Sequence, residues 1–239
     1  MKYLDLTFPT PEENLACDEA LLERCEEGLL EDDILRFWEP SSYFAVLGYS
    51  NKIQTEVNQT ACQKAGIPIF RRPSGGGTVL QGPGCLNFSL ILKIKNSKAL
   101  QNLVKTNAFV LKRNQKALES ALGLKINVRG MSDLALDDRK FSGNAQRRKR
   151  HCLLYHGTFL LRMKIHLMEN LIRFPSRQPL YRKGRAHEDF LTNLKVPATR
   201  IKEALRLAWS ANKTLDEIPT AEIAVLVRSR YALDEWNFK

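Results

Sequence analysis

The stretch from Phe70 to Leu92, FRRPSGGGTVLQGPGCLNFSLIL, limits what this chain can fold into more than any other. Gly75, Gly76 and Gly77 follow Arg71, Arg72 and Ser74, and an alternating Leu86, Phe88, Leu90, Leu92 run comes soon after. Glycine has no Cβ, so three in a row allow positive φ and let an anion approach the main-chain amides closely. Arg71 and Arg72 bring planar, permanently charged forks to the same phosphate or carboxylate. Gly82-Pro83-Gly84 then turns the chain into what reads as a buried strand. The plainer reading is two glycine turns joining strands of a sheet.

Around this loop the hydrophobic period switches between strand and helix. Residues 1–8 alternate as a first strand, and Thr10 with Glu13 makes a capping box for a helix from about Pro11 to Glu27. ILRFWEP and YFAVLGY read as strands, 58–66 as a helix with a glycine stop, 67–70 and 86–94 as strands entering and leaving the loop. Apolar spacing over 96–122 predicts one long helix or two, closed by Gly123, and short strands at 125–128 and 134–136 flank Gly130-Met131-Ser132-Asp133. Residues 139–142 and 153–160 form the arms of a hairpin with a basic loop at its tip, 173–192 is a loop, and helices are expected over 197–211 and 221–232. Strands and helices mixed without strict alternation, some joined by connections too short for a crossover, predict an α/β (α+β) fold with a mixed central β-sheet flanked by helices. GxGxxG is absent, which weakens a dinucleotide-binding parallel sheet.

A chain of 239 residues buries a core large enough to need no staples. Its cysteines, Cys17, Cys25, Cys62, Cys85 and Cys152, are odd in number and form no CxxC pair, which predicts reduced thiols and a cytoplasmic protein without a zinc site. No run of 18 apolar residues is present, so no membrane span is expected. The net charge of +11 is concentrated in the second half, in RKFSGNAQRRKRH and YRKGRAH. Such charge suits nucleic acid, an acidic membrane, an acidic protein or a phosphate-bearing substrate. The absence of aromatic-interleaved, helix-turn-helix or finger patterns argues against nucleic acid.

ENLACDEALL, ILRFWEPSSYFAVLGYSN, the glycine stretch, RGMSDLALDDRKFSGNAQRR, YHGTFLL and DEWNF together resemble the lipoate-protein ligase A family, in the superfamily of biotin and lipoate A/B protein ligases. The resemblance implies a single catalytic domain over 1–239, without the C-terminal accessory domain of many ligases or with it on a separate chain. It implies ATP, Mg²⁺ and lipoate as substrates or cofactors and acidic lipoyl-domain acceptors as partners, with no nucleic acid or membrane. Lys140 corresponds to the family's essential lysine. Arg72, Gly75, Gly76, Gly77, Thr78, Val79, Leu80, Asn87, Asp133, Lys140, Ser142, Gly143 and Asn144 correspond to the ATP and lipoyl-AMP site, with Asp133 also a metal candidate. His156 reads as a hydrogen-bonded structural histidine. Gln81-Gly82-Pro83-Gly84 is similar to the HGPG of octanoyltransferases, which work through an acyl-cysteine thioester. Neither position where those transferases carry the cysteine holds one here, so the ligase is expected. Cys85 is expected to be packed, its alternative being a displaced acyl acceptor, and a non-catalytic acyl or nucleotide carrier is the other class.

Overall fold

The computed structural model describes residues 1–175 and 177–239; of the segment expected as a loop, only Ser176 lies outside the described residues. The chain opens with β1 (Lys2–Asp5), α1 (Pro11–Glu26), β2 (Ile34–Trp38), β3 (Phe44–Leu47), α2 (Ile53–Glu56), α3 (Gln59–Lys64) and β4 (Ile69–Arg71). Beyond the glycine loop come β5 (Val79–Gln81), β6 (Cys85–Lys93), α4 (Leu103–Leu122), β7 (Asn127–Arg129), β8 (Asp133–Leu136), β9 (Arg139–Arg148) and β10 (Cys152–Leu160). The last part holds α5 (Leu167–Leu171), α6 (His187–Phe190), α7 (Ala198–Ala208), β11 (Lys213–Thr214), α8 (Thr220–Leu226) and α9 (Asp234–Asn237).

One sheet has eight strands in the order β11-β1-β2-β6-β10-β9-β8-β7, and a second has β4-β3-β5. β1 lies parallel to β2 and β11, while the pairs from β2 across to β7 are antiparallel, so the large sheet is mixed as expected. Successive side chains of a strand point to opposite faces. Leu86, Phe88, Leu90 and Leu92 of β6 therefore share a core with Val110 and Leu118 of α4 and Leu205 of α7. Ile91 of the same strand joins Ala20, Leu21 and Leu22 of α1 in a core with Ile34 and Leu154. The alternation of Leu86, Phe88, Leu90 and Leu92, which made β6 stand out, is the face that packs on α4 and α7, while Asn87 and Ser89 lie on the other face.

The capping box forms: Glu13 N donates to Thr10 Oγ1 at 3.3 Å, and Thr10 N donates to the Glu13 carboxylate at 3.1 Å. α4 starts later than expected, at Leu103 behind the Asn102 cap, after two short 3₁₀ turns, and ends at Gly123 in the left-handed conformation. The segment over 173–192 contains a 3₁₀ turn (Leu180–Arg182) and α6, which the prolines concealed.

Two expectations need correction. β9 continues through the supposed basic loop, with Arg147 opposite Leu154 and Arg148 opposite Leu153 on β10, so the tip shrinks to the turn after Arg148. Cys25 and Cys152 form a disulfide, because the end of α1 packs over the start of β10 with the two Cα atoms 6.2 Å apart. A separation of 127 residues hides that pairing from spacing rules. Cys17, Cys62 and Cys85 are free and buried. Among the described residues, no helix is long and apolar enough to cross a membrane.

Candidate active site

The glycine loop, β8, β9 and the central strands enclose a cleft of about 470 Å³. Gly76 sits at φ +87°, where a side chain would be strained, and a Cβ on Gly48 would stand 2.1 Å from the Gly76 carbonyl oxygen. Two adjacent stretches of backbone thus meet at the rim.

The two arginines part ways. Arg71, completely buried, donates to the carbonyls of Gly48, Tyr49, Asn51, Trp236, Asn237 and Lys239. It supplies no fork to the cleft, contrary to its expected place beside the anion. Arg72 lines the cleft, but its Nη2 donates to the Gly75 and Gly77 carbonyls at 2.7 Å each and its Nε to Ser74 Oγ at 3.1 Å. Burial lowers its pKa to about 10. Ser74 Oγ lies 2.6 Å from His156 Nε2. That hydroxyl accepts from Arg72, and which of Oγ and Nε2 donates in the second bond follows the tautomer of the ring. Burial, reinforced by Arg72, holds His156 down at about 4. His156 is the hydrogen-bonded histidine expected.

Lys140, on β9, places Nζ 2.8 Å from Asp133 Oδ1 on the neighbouring β8. Asp133 Oδ2 accepts from the Tyr181 hydroxyl at 2.8 Å, and burial together with Asp133 keeps that phenol protonated. A Cβ on Gly143 would lie 2.6 Å from Lys140 Nζ, so this glycine clears the path of the ammonium. Asn144 lines the cleft and is anchored through N and Nδ2 to the Ser132 carbonyl at 3.0 and 2.7 Å. Both oxygens of Asp133 are thus engaged, one by the Lys140 ammonium and one by the Tyr181 hydroxyl, and no group of three or more His, Cys, Asp or Glu is placed to hold a metal among the described residues.

Asn87 belongs to a closed ring: it donates to Gln81 at 3.1 Å, Gln81 to Thr158 at 2.7 Å, and Thr158 back to Asn87 at 2.6 Å. Gln81 and Thr158 also border a smaller chamber of about 120 Å³, shared with Thr78, Val79, Lys140 and Gly143. Leu80 and Ser142 face that chamber, while Gly76 and Gly77 face the cleft. Gly75 takes part through its carbonyl, held by Arg72. Sequence reasoning missed Tyr181, which bonds Asp133, and Arg182 and His187, which line the smaller chamber; all three come from the segment taken for a loop, where the basic run YRKGRAH was the signal.

A mixed sheet holding a glycine loop against a lysine and carboxylate pair is an arrangement whose chemistry suits an anionic substrate. The family follows from comparison: the Lipoyl protein ligase A/B catalytic domain matches residues 10–217, and the chain belongs to that lipoate ligase and octanoyltransferase family. It is 28% identical to Octanoyltransferase LipM of Geobacillus kaustophilus, over 100% of this chain and 98% of the relative. It is 33% identical to "Probable lipoate-protein ligase A" of Mycoplasma pneumoniae, over 67% of this chain and 46% of that one. The fold matches a bi-partite lipoate protein ligase from Thermoplasma acidophilum, studied with its E2 lipoyl domain, at a TM-score of 0.83 and 21% identity, covering 99% of this chain and 95% of that one.

Proposed function

We propose that this chain is an ATP-dependent lipoate-protein ligase. A carboxylate oxygen of lipoate attacks the α-phosphorus of ATP, the bond to the β-phosphate oxygen breaks, and pyrophosphate leaves. An acceptor lysine amine then attacks the acyl carbon, AMP departs, and an amide forms as the amine loses its proton. Negative charge gathers on phosphoryl and carboxyl oxygens in both transition states, and Lys140 with the amides of Gly76 to Val79 are the groups suited to stabilise it. Arg72 serves by holding the loop in shape, and Mg²⁺ arrives with the nucleotide as part of the substrate. The observation that supports this reading is the lining of the cleft: it offers a lysine and loop amides and, among the described residues, no thiol. Cys85 is buried, and burial pushes its thiol up to about 12, far from the thiolate a thioester route needs.

A second reading is acyl transfer through an enzyme cysteine, favoured by the name Octanoyltransferase LipM borne by relatives such as that of Geobacillus kaustophilus. An acidic lipoyl domain is the acceptor under either reading; the Thermoplasma acidophilum protein was studied with its E2 lipoyl domain. The whole of 1–239 acts as the catalytic domain. Intact-mass spectrometry separates the two routes. The ligase lipoylates the acceptor with ATP and free lipoate, forms lipoyl-AMP, and keeps its rate within several-fold in Cys85→Ser. An acyl adduct on the enzyme from octanoyl-carrier protein without ATP overturns the ligase in favour of the transferase.

A further inference from the structure

Successive side chains of a regular strand alternate between faces, so Lys140, three positions from Gly143 on β9, would turn away from it. It does not. Asp133 pairs with Gly143 and Leu134 with Ser142, but Ala135 pairs with Lys140, which leaves Phe141 as an extra residue opposite the step from Leu134 to Ala135. Such a bulge re-aims a side chain. Lys140 Nζ is thereby brought against Gly143 and to 2.8 Å from Asp133 Oδ1.

Asp133 is both the support of this lysine and a competitor for it. The residue is 6% exposed, and an ammonium held between both of its oxygens would be released to a substrate oxygen less readily. The Tyr181 hydroxyl occupies Oδ2 at 2.8 Å, so only Oδ1 is turned to Lys140. Tyr181 is itself fixed from two sides. Its ring stands 5.1 Å from that of Phe190 and lies beside Gly130, and Arg185 donates both to its carbonyl, at 3.0 Å, and to Asp138 Oδ2, at 2.9 Å, in the turn between β8 and β9. Burial, and then Asp133, keep the phenol protonated, so it stays a donor.

We propose that Tyr181 is a positioning residue for the acyl-transfer chemistry: by occupying Asp133 Oδ2 it fixes the carboxylate in the orientation that holds Lys140 at the cleft through one oxygen, and the ammonium keeps its other N–H groups for the substrate anion. It acts through Asp133 and not on the substrate. Tyr181 lies outside the segments that carry the family resemblance. Its role rests on the reading that places Lys140 in the chemistry.

Steady-state kinetics of acceptor lipoylation by the whole chain test it, with thermal melts to verify folding; the same comparisons are made on octanoyl transfer should that be the route. Tyr181→Phe keeps the ring contacts and removes the hydroxyl. It should lower kcat about ten-fold with the KM for lipoate and for ATP within about two-fold, since the hydroxyl governs where the ammonium stands as charge develops and not how the substrates are held. Asp133→Asn should lower kcat at least as much, and Tyr181→Phe added to it should cost less than about two-fold more, because the hydroxyl acts only through the carboxylate. A ring that merely packs predicts wild-type kcat in Tyr181→Phe. That result in a folded variant, or losses that multiply in the double variant, overturns the assignment. Should Tyr181→Phe fail to fold, Asp133→Asn decides, and an undiminished kcat there overturns it as well. Lys140→Ala is the control. Wild-type turnover in that variant removes the underlying reading, whereas an inactive Lys140→Ala beside an unaffected Tyr181→Phe removes only the role of Tyr181.

Discussion

Lys140 and Asp133 show how a local motif and a distant contact combine in one pair. RKFSG marked the lysine, whereas Tyr181, which holds the other carboxylate oxygen, stands 48 residues further on and had no motif. Lys140→Ala should lower acyl transfer by at least about 10²-fold while leaving the melting temperature within a few degrees, since a partly exposed ammonium contributes more to transition states than to packing. Near wild-type turnover by the folded variant would remove Lys140 from the chemistry. His156 permits a second test. Its folded pKa of about 4 lies below the ordinary value of 6.5, so the native state favours the neutral ring. That contribution to stability is full above pH 6.5, diminishes as the pH falls below it, and is gone under about pH 4. Wild type should therefore lose more melting temperature between pH 7 and pH 4 than His156→Gln does, and parallel curves would contradict a neutral, buried ring.

At the scale of elements, the period of the sequence located most strands and helices, because an apolar alternation and a capped helix announce themselves locally. The β9 and β10 hairpin was legible only in part. Charge density suggested a solvated loop, yet cross-strand pairing carries β9 to Arg148, whose guanidinium donates to the Leu100 carbonyl and Thr106, while Lys149 pairs with Glu23. Arg147 and Arg150 remain exposed, and they are the hairpin charges free to steer an acidic acceptor. Exposed charge is screened over about 8 Å at physiological salt. Arg147→Ser with Arg150→Ser should raise the apparent KM for the acceptor several-fold at low salt, with the gap closing as salt rises. Arg148→Ser should instead lower stability, equally at all salt concentrations. A salt-independent KM in the double variant would leave the hairpin as plain surface.

For the molecule as a whole, Arg71 ties the end of the chain to the loop before the active site, with Trp236 Nε1 returning a hydrogen bond to the Arg71 carbonyl at 2.8 Å. Removing a buried cation that satisfies six carbonyls leaves them unpaired, so Arg71→Met should cost at least about 3 kcal/mol in urea unfolding. A loss under about 0.5 kcal/mol, the range of ordinary surface changes, would show that the C-terminal segment docks without it. Side-chain period, caps and glycine-rich backbone act over a few residues, and by themselves they determined the mixed sheet and the glycine loop, while the family resemblance of the RKFSG segment singled out Lys140. Tertiary structure alone decided that Arg71 serves the C-terminus while Arg72 braces the loop, that Cys25 meets Cys152, and that His187 and Arg182 wall a chamber behind Lys140. Those contacts join residues far apart in the chain, and they exist only once strand order and register have set which side chains share a face.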